Sequence, residues 1–251
     1  MIKFFRHIRK SLLMENKTSK YFKYAIGEIV LVVIGILIAL QINNANDTRK
    51  EKKVLHQYLA KISNNLDKDI KNLKDIRERR LTVIKDCQTA VKNFHENKFN
   101  LGANMKAAQV FVDFYFVPIQ SGYEALKNSS YLGEINGTEV DSFLDSYHLI
   151  LNKILDEESS YLTYIENMEV LWTSSFDMSE LLKVYQKDIE NIRLQDFDMN
   201  LQKKLIAMFE HESFRSTVTR GSFQTNMLTF YDELIDVGNK VIQEIEIYTN
   251  D

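Results

Sequence analysis

One proline, one cysteine, one tryptophan and eight glycines are few for 251 residues. Sandwiches and barrels need turn residues roughly every ten positions, so the shortage of Pro and Gly points to an all-α chain of long helices with few connections. A lone cysteine, Cys87, excludes an internal disulfide and any thiolate metal cluster. It reads as a small apolar core residue on a helix, with an intermolecular bridge or a reactive thiol as the alternatives. No H-E-x-x-H pair, Gly-rich phosphate loop or G-x-S-x-G elbow occurs.

What is present is an uneven charge distribution. Residues 1–42 hold seven Lys and Arg against Glu15 and Glu28, a net of +5, which leaves −8 on the remainder of a chain whose total is −3. An acidic body repels a phosphate backbone, so nucleic acid is not an expected partner. A basic head, an apolar run and an acidic body together form a membrane-topology pattern.

The apolar run is YAIGEIVLVVIGILIALQI, residues 24–42. Nineteen helical residues rise about 28 Å, close to a hydrocarbon core of about 30 Å. Tyr21, Phe22 and Tyr24 are expected as interfacial anchors, with Lys20 and Lys23 reaching toward headgroups. A buried core helix, a cleaved signal peptide and a peripheral amphipathic helix are the competing readings. The flanking cations and aromatics count against the first. The lack of a well-placed small-x-small cleavage pair counts against the second, and the lack of a polar face against the third. Seven cations precede the span, whereas Arg49, Lys50, Lys52 and Lys53 follow it beside Asp47 and Glu51. The expected division is therefore a basic cytoplasmic tail at 1–23, a transmembrane helix at 24–42 and a periplasmic helical domain at 43–251.

Two features inside the span carry candidate roles. Gly27, Leu31, Gly35 and Ala39 recur every fourth residue on one face, where small residues let a second helix approach closely. Glu28 lies one turn in from Tyr24. An intramembrane carboxylate is costly enough to suggest a function such as proton relay or subunit coupling. The plainer reading is an interfacial carboxylate that pairs with Lys23 or reaches out to water.

The stretch MIKFFRHIRKSLLMENKTSKYFKYAIGEI and the span that follows resemble the amino-terminal signature of an uncharacterised family of single-pass membrane proteins, mostly from Bacteroidota. A second likeness is GYEALKNSSYLGEI, residues 122–135, similar to a YEELKSSG-like segment in that family's soluble part. The resemblance implies an inner-membrane anchor and a periplasmic helical domain, and carries no activity, substrate or catalytic residue. It leads us to expect a tryptophan after Asn43-Asn44, where this chain has Ala45.

Beyond the span, Leu55, Leu59, Ile62, Leu66, Ile70, Leu73 and Ile76 follow three- and four-residue steps, and Ile84, Cys87, Val91 and Phe94 resume the stripe. Residues 77–80 interrupt it, so a bend or an exposed turn is expected there. Phe99–Gly102 reads as a connection, 105–117 as a buried helix or a short strand with helix preferred, 123–129 as a short helix and 133–137 as a turn. Thr138, with Asp141 three residues on, caps a long helix. Its stripe runs Val140, Leu144, Tyr147, Leu151, Ile154, Tyr161, Ile165, Met168 and Trp172, with Glu158 the one break. Segments near 179–189, 199–211 and 213–248 complete the helices, with Gly221 and Gly238 as kink points in the last.

Residues 49–92 carry thirteen Lys and Arg against six acids, whereas 138–169 carry eight acids against Lys153. Antiparallel packing of these two helices would set unlike charges along an apolar seam; a basic partner protein meeting the acidic helix is the rival reading. The nearest approach to a metal motif is Asp145-x-x-His148 with Asp141 a turn earlier, but a di-iron bundle needs two such elements. Glu210-His211-Glu212 points three ways on a helix. Phe111–Phe116 reads as core packing.

The expectation is an extended antiparallel helical bundle behind one transmembrane helix, with no catalytic, cofactor or metal site. Its expected work is that of a non-enzymatic scaffold or interaction protein, whose partners are the membrane and further copies or another membrane protein. The alternatives are a subunit of an ion-driven or transport complex using Glu28, and a periplasmic ligand-binding module acting through a membrane partner.

Overall fold

The structure, a computed structural model, describes residues 18–189 and 191–250. The expected basic tail therefore lies outside the described residues from 1 to 17, as do the side chains of Lys20, Tyr21 and Tyr24. The chain divides into two units, Met1–Gln57 and Tyr58–Asp251. Helix α1, Thr18–His95, contributes to both. Its run through 77–80 is continuous helix, so there is no exposed turn there.

In the first unit, the helix beginning at Ala25 contains a window of mean hydropathy 2.6, none of it buried, and is long and apolar enough to cross a membrane. The large apolar side chains from Ile26 to Ile42 are all between 46% and 63% exposed, on every side of the helix.

The second unit is all helix and connection among the described residues. Helix α1 ends where Asn97 takes a left-handed φ of 49°, a conformation Asn tolerates better than most residues. There Lys98 N–H donates to the Asn93 carbonyl at 3.0 Å. A return segment follows: α2 (Leu101–Ala107), a 3₁₀ turn (Ala108–Phe111), an extended strap at 112–119, α3 (Ser121–Lys127) and a second 3₁₀ turn (Leu132–Ile135). Then come α4 (Glu139–Thr173), α5 (Glu180–Tyr185), α6 (Met199–Glu210), α7 (Glu212–Ser222) and α8 (Thr225–Asn250). Thr138 caps α4 as expected, its hydroxyl accepting from Asp141 N–H at 3.4 Å.

Contacts fix the topology. The return segment runs back along α1, with Ala107 at Cys87, Phe114 at Arg80, Ile119 at Asp69, Gly122 at Ile62 and Tyr131 at Tyr58. Helix α4 runs the same way as α1, since Asp69 shares a cavity with Tyr147 and Arg80 bonds Glu158. Helix α8 runs opposite to both, with Asp232 at Arg77 and Gly238 against Ile70 and Tyr147. The unit is thus an up-down-up-down bundle in which the return segment fills the second place.

This corrects two expectations. Residues 105–117 are neither one helix nor a strand: the helix stops at Ala107, and 112–119 is extended without sheet pairing. Pro118 disfavours helix at Val117, and the aromatic and β-branched run before it has poor helix propensity. The basic and acidic helices are also parallel to each other, not antiparallel. Their charges meet at the buried Arg80–Glu158 pair, while Arg77 pairs with Asp232 of α8 and Lys153 sits 4.0 Å over the Phe230 ring. The last expected helix divides at Phe223–Gln224 rather than kinking at Gly238, whose missing Cβ lets α8 approach Ile70 and Tyr147.

An extensive apolar cluster lies at the His95 end. It includes the stack of Phe111 on Trp172 at 4.9 Å and the edge contact of Phe209 with Phe214 at 4.9 Å. The indole N–H of Trp172 donates to the Met208 carbonyl at 2.7 Å, so the ring is satisfied at its polar end. Cys87 is fully buried there, and burial pushes its thiol up to about 12.

Candidate functional site

The span residues singled out by sequence all lie on α1. Leu31 is 62% exposed, Gly27, Gly35 and Ala39 are exposed, and Glu28 is half-buried. A Cβ built on Gly27 or Gly35 meets nothing within 4 Å, so that face has room for another helix.

The motifs weighed for metal do not gather. His148 Nδ1 lies 2.7 Å from the Leu144 carbonyl and its ring lies 3.8 Å from the Tyr123 ring, while Asp141 accepts from Gly137 N–H at 3.2 Å. His211 sits between α6 and α7 as the α7 cap, accepting Ser213 N–H at 3.3 Å, rather than along a helix. Among the described residues no three His, Cys, Asp or Glu side chains are placed to hold a metal ion.

The densest chemistry is a buried polar clamp on the strap. An extended segment inside a bundle presents main-chain N–H and C=O groups that no helix satisfies, and such groups need partners. Three buried side chains supply them. Arg80 on α1 donates from Nη2 to the Phe114 carbonyl and to Glu158 Oε1, both at 3.4 Å, and from Nε to the Tyr231 hydroxyl at 3.0 Å. Glu158 on α4 accepts the Phe116 N–H at 2.9 Å and the Tyr231 hydroxyl in a short bond. Asp69, three turns before Arg80, accepts the Ile119 N–H with both oxygens at 3.1 and 3.0 Å. The Arg80 and Glu158 side chains are only 4% and 3% exposed, so their attraction is little screened.

The electrostatics follow from burial. Desolvation raises the Glu158 carboxyl above its ordinary range, against the opposing pull of Tyr231, the Phe116 N–H and Arg80. Desolvation also pushes Asp69 up to about 6, with the Ile119 N–H pulling the other way. The Tyr147 hydroxyl is raised, first by burial and then by Asp69. It is buried without a hydrogen-bond partner beside a cavity of about 20 Å³ that Asp69, Asn65 and His148 also line. That volume holds about one water molecule. The space beside Arg80 and Tyr161 is smaller, about 10 Å³. A wider depression, about 750 Å³, is an open groove between Asn100, Gly102 and Lys106 on one side and Ile189, Asn191 and Arg193 on the other.

Sequence reasoning missed the clamp. It treated residues 77–80 and Glu158 as two unrelated breaks in apolar stripes. Both breaks are one ion pair, and the signal was that each interrupts its stripe at an otherwise inward position.

No curated protein and no solved structure matches the chain. A family profile does, over residues 28–171, a stretch holding the apolar run from Glu28 on, the strap, Asp69, Arg80 and Glu158, though not Tyr231. The chain belongs to the family of unknown function DUF6090.

Proposed function

We propose that this protein is a non-enzymatic scaffold anchored in the inner membrane by residues 24–42, with the tail cytoplasmic and the helical unit in the periplasm. The observation that carries the reading is the bare apolar helix of the first unit. Twelve large aliphatic side chains between Ile26 and Ile42 have no protein cover. At roughly 1.5–3 kcal/mol for each one left in water, their exposure costs on the order of 20 kcal/mol, which a bilayer removes. The cation excess before the span supports the orientation.

A binding or organising role suits the second unit better than catalysis. Its three buried charged groups, Asp69, Arg80 and Glu158, are spent on hydrogen bonds to the strap's main chain.

The test is fractionation and topology mapping of the full chain. The protein should resist alkaline carbonate, release only in detergent, and give activity to a phosphatase fused after Asn250. Recovery in the soluble fraction, or an inactive phosphatase fusion beside a fluorescent cytoplasmic one, would overturn it.

A further inference from the structure

The strap turns Phe114 and Phe116 inward and leaves Val112, Tyr115, Val117 and Ile119 facing out, at 43%, 53%, 61% and 41% exposure. An extended run of aromatic and β-branched residues bare to water is an association surface. What borders it is asymmetric in charge. On α1, Asn65 faces Ser121 of the return segment, and Lys61, Lys68 and Arg79 lie on the same flank by helical spacing. Arg79 itself lies over the Phe114 ring at 4.4 Å. The other border is α4, where the Tyr123 ring packs on His148 at 3.8 Å; burial first, and then Asp145, Glu124 and Asp141, raise the Tyr123 hydroxyl, and Asp141, Asp145 and Glu166 share one flank by spacing. Among the described residues Lys61, Lys68 and Asp145 form no ion pair.

We propose that the outer face of the strap binds the same face of a second copy of this chain, about a two-fold axis running along the helices. The parallel course of α1 and α4 makes the match. Asp69 lies beside Tyr147 and Arg80 beside Glu158, so a residue of α1 is level with the α4 residue numbered 78 higher. Lys68 is then level with position 146, next to Asp145. Lys61 is level with position 139, about 3 Å along the axis from Asp141. The rotation sets the α1 flank of one copy against the α4 flank of the other, bringing Lys68 to Asp145 and Lys61 to Asp141 twice over. Val117 and Ile119 meet their own counterparts in the centre. A polar rim of opposite charges around an apolar centre fixes register and excludes other pairings. The same axis keeps both Tyr58 ends on one side, as anchoring in a single bilayer requires. In this respect the proposal rests on the scaffold reading above and names its partner.

The test uses the full chain in native membranes with a bis-maleimide linker; Cys87, fully buried, stays silent. Val117→Cys should give a crosslinked dimer, and Asp236→Cys on the outer face of α8 should not. Lys68→Glu should lower the Val117→Cys yield severalfold, and adding Asp145→Lys should restore it. No dimer at Val117, an equal yield at Asp236, or a yield indifferent to Lys68→Glu would overturn the proposal. Membrane retention scored on the same samples separates the two failures: a chain that stays in the membrane but does not crosslink sinks the strap interface alone.

Discussion

Arg80 and Glu158, 78 residues apart, form an ion pair at 3.4 Å in the middle of the bundle, and the strap's main chain closes around it through the Phe114 carbonyl and the Phe116 N–H. A buried pair of this kind does not stabilise a fold much over apolar residues of the same shape, but breaking it is costly. It ties three helices and the strap to one register, since Tyr231 of α8 bonds both partners.

Arg80→Met should therefore destabilise the full chain by about 3–5 kcal/mol at pH 7, because it leaves the Glu158 carboxylate buried without its cation. Glu158 is already raised by burial, so in the variant it should take up a proton more readily. The penalty should shrink as pH falls. Denaturant unfolding in detergent at several pH values measures this; a penalty independent of pH would show that Glu158 is not the group left uncompensated.

Asp69 gives a second pH dependence with a defined window. Its carboxyl is raised to about 6 from an ordinary 3.8, so the folded state binds the proton more tightly than the unfolded chain does. The stability this confers is complete below about pH 4 and is lost as pH rises through 6. Two units correspond to about 3 kcal/mol at most. Asp69→Asn keeps an oxygen for the Ile119 N–H and removes the charge, so it should flatten the stability profile between pH 4 and 6. At pH 7 it should leave the protein as stable as the wild type or more so. A loss of several kcal/mol at pH 7 would mean that the carboxylate's second oxygen is what holds the strap.

How far these features were legible in the sequence depended on periodicity. The stripes Leu59–Ile76 and Val140–Trp172 placed nearly every inward residue, because a helix facing one core must repeat at three and four. Cys87 was read correctly as a core residue for the same reason. Direction was not legible: the connection 96–138 is long enough to return the chain along the bundle, and nothing in the two stripes says whether their helices run together or opposed. The strap was not legible as extended, since an apolar run of that length fits a buried helix equally well until its main-chain partners are known. Those partners, Asp69, Arg80 and Glu158, are charged residues 34 to 50 positions away from the groups they hold.

Gly122 tests the return path directly. A Cβ there would stand 2.9 Å from the Ile62 main-chain nitrogen and 3.0 Å from the Ile62 Cα, distances that only a backbone shift relieves. Gly122→Ala should cost about 1–3 kcal/mol through overpacking. Gly133→Ala, where nothing lies within 4 Å, should be neutral or slightly stabilising. Comparing the two melting curves in detergent isolates the contact from the general effect of removing a glycine. Equal effects would mean that α3 does not press on α1 at Ile62.

Glu28 separates the scaffold from an ion-coupled subunit. A carboxylate that relays a proton must change its charge during the working cycle, and an amide of the same shape cannot. A carboxylate near an interface has no such requirement, and glutamine there also lowers the cost of insertion. Under the scaffold reading, Glu28→Gln should leave membrane insertion, protein level and crosslinked dimer yield within twofold of the wild type. Gly35→Leu should lower association through the span face, because the bulk of leucine fills the open space beside Gly35. If instead Glu28→Gln abolished assembly while Gly35→Leu did not, the carboxylate would be the working group of the span, and the scaffold reading would give way to the coupled one.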